Sequence, residues 1–381
     1  MKITSKLPHL GTTIFTVVTQ RARELGAIHL AQGFPDFDAP ELLKQLLTES
    51  VAAGHNQYAP MTGDPALRQQ IAAKLGASYR RTPDPDSEIT ITLGATEAIF
   101  SAVSALVHPG DDVILFDTSY DSYAPAVILA GGRPIHIPLE LPDFRIDWQR
   151  VRDCVTPRLR MIMINTPHNP TGMTLSSADL DQLAEVLRPT EAMVLSDEVY
   201  EHMVYDGARH ASVVGHPELY ARGVVCFSFG KTMHATGWRV GYAVAPPELT
   251  REIRRVHQFN TFTIATPLQL AIAEFLKRQP QHNADLSTFY QRKRDLFLDR
   301  LRGSRFKWTP SPGTYFQLLD FSEISDVSDV EFAEKLLTEV GVASIPVSVF
   351  YQSPPKLNVV RFCFAKQDST LEAATERLRR M

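Results

Sequence analysis

Short, almost uninterrupted apolar runs recur through the first two thirds of the chain, each followed by residues with helical spacing. Ile89-Thr-Ile-Thr-Leu93 leads into a helix expected to begin near Ala95, and Asp112-Val-Ile-Leu-Phe116 precedes Tyr120 and a helix expected over 122–129. Further strands are expected at 133–137, 159–164, 192–196, 224–229 and 240–244. Strands that lack an inside/outside alternation are covered on both faces, and strands separated by helices pair in parallel. The pattern predicts an α/β fold whose large domain holds a central, mostly parallel seven-stranded sheet flanked by helices.

From Pro247 the periodicity becomes helical, with helices expected over 249–256 and 265–276 and another after Pro280. Strands near 306–308 and 314–319, a helix near 330–339 and a strand near 358–364 then suggest a smaller α+β domain. The expected division is a large domain over 31–275 and a small one assembled from 1–30 and 276–381. No repeat or low-complexity tract interrupts it, and Pro83-Asp-Pro-Asp-Ser87 reads as a turn-rich connection.

With 381 residues the chain exceeds what one small core needs. Its formal net charge of -4, with basic residues dispersed, argues against a nucleic-acid partner. The first residues lack the apolar core of a secretion signal, and no run approaches the roughly 18 apolar residues of a membrane span. A cytoplasmic protein is expected. Cys154, Cys226 and Cys363 are far apart and odd in number, so they read as reduced thiols, and the 12 histidines show no zinc-ligand spacing. No metal is expected.

The residues with the most chemistry stand at expected strand ends, where open α/β sheets bind their ligands. Ser228-Phe-Gly-Lys231-Thr-Met-His-Ala-Thr-Gly-Trp-Arg239-Val-Gly241 sets a lysine just after one strand and an arginine eight residues later, an arrangement suited to a Schiff-base lysine beside a phosphate clamp. Asp197 and Tyr200 follow another strand in Ser196-Asp-Glu-Val-Tyr200, and Asn165-Thr-Pro-His-Asn169-Pro-Thr-Gly172 follows a third. Gly94-Ala95-Thr96-Glu97 offers the N–H groups of a helix start. Arg361 lies inside Val359-Val-Arg-Phe-Cys-Phe364, and an arginine in an apolar strand is costly unless it meets an anion. Singly, Lys231 reads as a loop lysine, Asp197 as a cap, Asn169-Pro as a turn and Tyr120 as packing. Their conjunction is what points to a site.

Together these segments resemble the fold-type I, class I pyridoxal-phosphate-dependent aminotransferases, from about Leu7 to the C-terminus. Lys6-Leu-Pro-His-Leu-Gly-Thr-Thr-Ile-Phe15, Gln32-Gly-Phe-Pro-Asp-Phe-Asp38 and Asn56-Gln-Tyr-Ala-Pro-Met-Thr-Gly63 are similar, more narrowly, to bacterial methionine aminotransferases of the kynurenine and glutamine aminotransferase branch. The resemblance implies that Lys231 carries pyridoxal 5′-phosphate, which cycles with pyridoxamine 5′-phosphate. It implies that Asp197 pairs with the ring nitrogen, that Tyr200 and Asn169 donate to the phenolic oxygen, and that Tyr120 stacks on the ring with Tyr123 on the neighbouring wall. Ala95, Thr96, Ser228 and Arg239 would cradle the phosphate, joined by Tyr58 from the second subunit of a homodimer. Arg361, Gly33 and Asn169 would take the substrate α-carboxylate. Ile14, Phe15, Tyr58, Tyr120 and Phe350 are candidate walls for its side chain.

No second arginine is assigned to a distal carboxylate, so the expected reaction is transamination of methionine and other neutral or aromatic L-amino acids with a 2-oxo acid. The resemblance leaves open a kynurenine- or glutamine-type aminotransferase and a cysteine-conjugate carbon–sulfur β-lyase. It also implies that the small domain closes over the site.

Overall fold

The computed structural model describes residues 3–8 and 10–381, so positions 1, 2 and 9 of the expected small domain lie outside the described residues. After β1 (Ile28–His29) come β2 (Ile89–Thr92), β3 (Asp112–Asp117), β4 (Arg133–Pro138), β5 (Leu159–Asn165), β6 (Met193–Asp197), β7 (Gly223–Ser228) and β8 (Gly241–Val244). β2 to β8 form one seven-stranded sheet in the order β2-β8-β7-β6-β5-β3-β4. Only β8 is antiparallel to its neighbours, so the sheet is mostly parallel, as the apolar runs predict.

The lack of alternation in these strands follows from what covers them. Successive side chains point to opposite faces, so Val113, Leu115, Met161 and Met163 join one apolar cluster while Ile114, Phe116, Ile162 and Ile164 join another. Ala98, Ile99, Ala102 and Val103 of the helix Gly94–Leu106 belong to the first cluster. The second takes Leu67, Ile71 and Leu75 from the helix Pro65–Tyr79 and Ile272 and Phe275 from the helix Thr266–Arg278. Each fully buried side chain of this size contributes about 1.5–3 kcal/mol, so a polar residue on either face of these strands is disfavoured.

After the helices Pro247–Asn260, Thr266–Arg278 and His282–Leu301, the smaller α+β domain contributes β9 (Phe316–Asp320), β10 (Val342–Ala343), β11 (Ile345–Pro346) and β12 (Val359–Cys363). β11, β12 and β9 form an antiparallel sheet, and β10 pairs in parallel with β1, tying the N-terminal segment to this region. Two expectations need correction here. Instead of a strand at 306–308 there is a single bridge, Lys307 to Asp320, because Pro310 and Pro312 follow and cannot donate to a ladder. The helix expected over 330–339 is α-helical only at Asp329–Lys335, capped by Ser328 and Glu331, and widens into a π-helical turn at Leu336–Val340 that ends at Gly341 with φ 72°.

Candidate active site

The parallel strands finish on one edge of the sheet, and that edge collects the polar residues. Asn165 and Asp197 are the last residues of β5 and β6 and lie in register with each other. Ser228 ends β7 opposite Gly241, and Lys231 follows in the short helical turn Phe229–Thr232. The helix Gly94–Leu106 starts at this edge, presenting Ala95 and Thr96. From the small domain β12 delivers Arg361, and from the N-terminal segment come Phe15, Gln32 and Gly33. These residues surround a cavity of about 160 Å³ that is also lined by Ile99, Tyr120, Tyr123, Asn169, Val199, Tyr200, Arg239 and Phe316. A wider groove beside Arg292 and Trp308, about 930 Å³, gathers no comparable set.

Asp197 is buried, which pushes its carboxyl up to about 6, against the opposing pull of the Tyr123 hydroxyl that donates to Oδ2 at 2.6 Å, the Val199 N–H and the charge of Lys231. Asn165 holds the end of β6 by donating from Nδ2 to the Asp197 carbonyl at 2.8 Å, and its Oδ1 accepts the Asn169 N–H at 2.8 Å. Burial also lowers the Lys231 amine to about 8. Its Nζ donates to the Tyr315 hydroxyl at 3.0 Å and approaches the Gly33 carbonyl at 3.4 Å. Burial raises the Tyr200 phenol, so it stands as a neutral donor.

Arg361 is 0% exposed, yet among the described residues no carboxylate pairs with it. Its Nη1 donates to Asn169 Oδ1 at 2.6 Å and its Nη2 to the Ala31 carbonyl at 2.7 Å, while Nε has no partner. The guanidinium lies 3.9 Å from the centre of the Phe316 ring. A buried cation that lines a cavity and keeps one donor unpartnered is a receptor for an anion.

The other end of the cavity fits a phosphate. Arg239 donates to the Thr236 carbonyl at 3.2 Å and to the Thr96 hydroxyl at 3.4 Å, and holds a left-handed backbone at φ 55°. A Cβ on Gly94 would meet Arg239 Nη2 at 2.8 Å, and one on Gly241 would lie 2.7 Å from the Ala95 nitrogen, so both glycines keep this cradle open. Helix N–H groups, two hydroxyls and a planar fork form a donor set for a dianion. With a lysine amine, a buried carboxylate and phenolic donors between the two anion receptors, the residues present suit pyridoxal phosphate.

A family model described as aminotransferase class I and II matches residues 26–378. The chain belongs to this family. It is an aminotransferase that works with pyridoxal phosphate. It is 51% identical over 377 residues to the methionine aminotransferase of Escherichia coli, covering 99% of this chain and 98% of that one. A solved structure of Escherichia coli YbdL, reported with a methionine aminotransferase function, superposes with a TM-score of 0.98 at 50% identity over the full length of both chains. A probable N-succinyldiaminopimelate aminotransferase, DapC, from Mycobacterium tuberculosis is 38% identical, with 98% of this chain and 97% of that one covered.

Of the residues the sequence singled out, the fold brings Phe15, Gly33, Ala95, Thr96, Tyr120, Tyr123, Asn169, Asp197, Tyr200, Ser228, Lys231, Arg239 and Arg361 to one cavity. Three others are outside it. Tyr58 is 82% exposed and meets Phe262 edge-on at 5.4 Å. Phe350 packs behind Phe15 with ring centres 5.8 Å apart, and Ile14 belongs to the same apolar cluster, so both support the wall without forming it. Tyr123 does more than line a neighbouring wall, since its hydroxyl is bonded to Asp197. Gln32, Ile99, Val199, Tyr315 and Phe316 carried no site signal of their own in the sequence.

Among the described residues no helix is long and apolar enough to cross a membrane, and no cluster of metal-binding side chains occurs.

Proposed function

We propose that the enzyme transfers the amino group of methionine and other neutral or aromatic L-amino acids to a 2-oxo acid, with donor and acceptor occupying the same cavity in turn. The observation that carries this reading is Arg361, a fully buried guanidinium with no carboxylate partner among the described residues, lying against Phe15 and Phe316 in a cavity also lined by Ile99 and Tyr120. One buried arginine matches an α-carboxylate, and among the described residues the other arginine lining the cavity is Arg239, which this reading gives to the phosphate. Apolar contacts separate side chains by only about 1–3 kcal/mol per methylene, so several long neutral donors are expected to react. The similarity to a methionine aminotransferase supports the same reading.

When bound, pyridoxal phosphate supplies an electron sink for the pair left as the substrate Cα–H bond breaks. In this reading Lys231 holds the cofactor and its amine takes and returns the proton at Cα, a role suited to a lysine whose burial brings it to about 8. Asp197, oriented by Tyr123, keeps a proton on the ring nitrogen. Tyr200 and Asn169 donate to the phenolic oxygen and Tyr120 covers the ring. Ala95, Thr96, Ser228 and Arg239 hold the phosphate, while Arg361, Asn169 and Gly33 fix the carboxylate.

The working unit is taken to be a homodimer in which Tyr58 reaches the phosphate of the other subunit. Tyr58, Phe259 and Phe262 are exposed aromatics, and burial against a second copy accounts for them. The domains are taken as 31–275 and as 1–30 with 276–381, the latter closing over the cavity with Phe15 and Arg361.

The test is a panel of single-donor reactions on purified enzyme, following the visible absorbance of bound cofactor with methionine, phenylalanine, tyrosine, glutamine, kynurenine, aspartate and a cysteine conjugate. Fast change with methionine and the aromatic donors, and slow change with aspartate, is expected. Faster reaction with aspartate would overturn the neutral-donor reading, and no change with methionine or the aromatic donors, together with pyruvate from the conjugate without an acceptor, would favour a β-lyase.

A further inference from the structure

Tyr315 has no place in the reaction as described so far, yet it makes the nearest polar contact to the reacting amine. It precedes β9, is 0% exposed, and its hydroxyl donates to the Gly33 carbonyl at 2.6 Å. With its proton engaged there, the oxygen is left to accept from Lys231 Nζ at 3.0 Å. The ring is held edge-on by Tyr200, with centres 5.1 Å apart, and by Phe316, 5.0 Å apart. A Cβ on Gly33 would meet the Tyr315 ring at 3.2 Å and the Phe316 ring at 2.5 Å, so the N-terminal segment is seated directly on these side chains.

We propose that Tyr315 is a positioning residue that docks the free Lys231 amine during turnover and connects it to the N-terminal segment at Gly33. The inference rests on the reading of Lys231 as the reacting lysine. An amine released from a covalent link has a flexible four-carbon stem, and a proton transfer needs it held within hydrogen-bonding range. Tyr315 Oη and the Gly33 carbonyl supply two acceptors on one side. Because the phenol proton is spent on Gly33, the hydroxyl faces the amine as an acceptor and favours its protonated form. The titratable and charged groups facing the amine are Asp197, Arg239, Arg361, Cys363, Tyr200 and Tyr315. Of these only Tyr315 is hydrogen-bonded to it. Displacing Gly33, as when the N-terminal segment moves, would free the phenol proton and turn the acceptor into a donor.

Tyr315→Phe tests this, since it removes the oxygen and keeps the ring contacts. Lys231 in the full chain stripped of cofactor is labelled with a small anhydride across pH and quantified by mass spectrometry. The expected midpoint falls by about one pH unit, a tenfold change in the ratio of protonated to neutral amine, because one acceptor for the ammonium is gone. In the loaded enzyme kcat is expected to fall about tenfold or more with KM within about threefold, and the isotope effect on α-deuterated methionine to rise. Tyr290→Phe is the control, because that buried hydroxyl has no partner and its ring lies 5.7 Å from Tyr315. It is expected to move neither the midpoint nor the isotope effect. An unmoved labelling midpoint and isotope effect in Tyr315→Phe would overturn the proposal, as would the same changes in Tyr290→Phe. Failure of the underlying reading appears separately, as turnover that survives Lys231→Ala.

Discussion

Two buried charged clusters flank the turn after β6, and they are built on opposite principles. Tyr200 and Glu201 are adjacent in the chain, but Tyr200 belongs to the apolar cluster that holds Val224 and Cys226 on one face of the sheet, while Glu201 meets Lys74, which lies over Phe227 and Tyr242 of the other cluster. The Lys74 cluster is closed. Lys74 pairs with Glu201 and donates to the Tyr242 hydroxyl at 3.0 Å, and the Tyr79 hydroxyl donates to Glu201 Oε2 at 2.6 Å. Burial, which alone would raise the Glu201 carboxyl, is outweighed by Lys74, so it titrates below its usual range. On the cavity face Lys231 and Arg361 have no paired carboxylate among the described residues. A cluster that satisfies itself stabilises a turn. One that leaves its charges open is completed by ligands, and stability is lost until they arrive.

The widest separation between the two should come from their lysines. Lys231→Ala is expected to cut turnover by more than about a thousandfold while leaving the fold intact, since it deletes a base and relieves a buried unpaired amine. Steady-state transamination with methionine checks this, and near-normal turnover would remove Lys231 from the chemistry. Lys74→Met should do the reverse. Removing one member of a buried pair costs about 3–5 kcal/mol, and the double variant Lys74→Met with Glu201→Leu should recover most of it. Urea unfolding of the cofactor-free protein measures both. A Lys74→Met protein of unchanged stability and lost activity would abolish the distinction drawn here.

The two clusters also mark how far the sequence could be read. The strands were legible because both faces of the sheet are covered, which makes 113–116 and 161–164 apolar at every position. Lys231, Asp197, Asn169, Arg239 and Arg361 were legible because each sits in a local motif at a strand end or inside a strand. The pairings of Lys74 with Glu201 and of Tyr123 with Asp197 were not, since their members are separated by 127 and 74 residues and no local motif joins them. Tyr315 was hidden for the same reason, 84 residues from the lysine it contacts. The segment at 306–308 has strand-like composition but only one bridging partner, and composition does not report a missing neighbour.

Asp197→Asn sharpens the contrast within the open cluster. A carboxyl raised from 3.8 to about 6 by burial stays protonated in the folded chain while the unfolded chain ionises, so the folded state loses stability as pH rises between about 4 and 6. Below that window the group costs nothing. Above it the loss is complete, on the order of 3 kcal/mol for the cofactor-free protein. Asparagine keeps an acceptor for Tyr123 and has no charge to bury. The variant is therefore expected to be more stable than the parent at pH 7.5 without cofactor, with no stability slope from this position, and about a hundredfold slower in turnover. Unfolding curves at pH 4.5 and 7.5 check it, and a parent no more pH-sensitive than the variant would show that the cavity carboxylate is not strained.

The smallest effect belongs to Tyr123, which separates a wall from a partner. Its hydroxyl is the chief influence holding the Asp197 carboxyl down against burial. In Tyr123→Phe that carboxyl should titrate higher, so the acid limb of the turnover profile should move up by about one pH unit, with turnover nearly unchanged well above it. A pH profile with methionine as donor reads this directly. If turnover falls equally at every pH and the limb stays in place, Tyr123 contributes shape to the cavity and nothing to its charge. Asp197 would then be governed by burial, the Val199 N–H and the charges of Lys231 and Glu198.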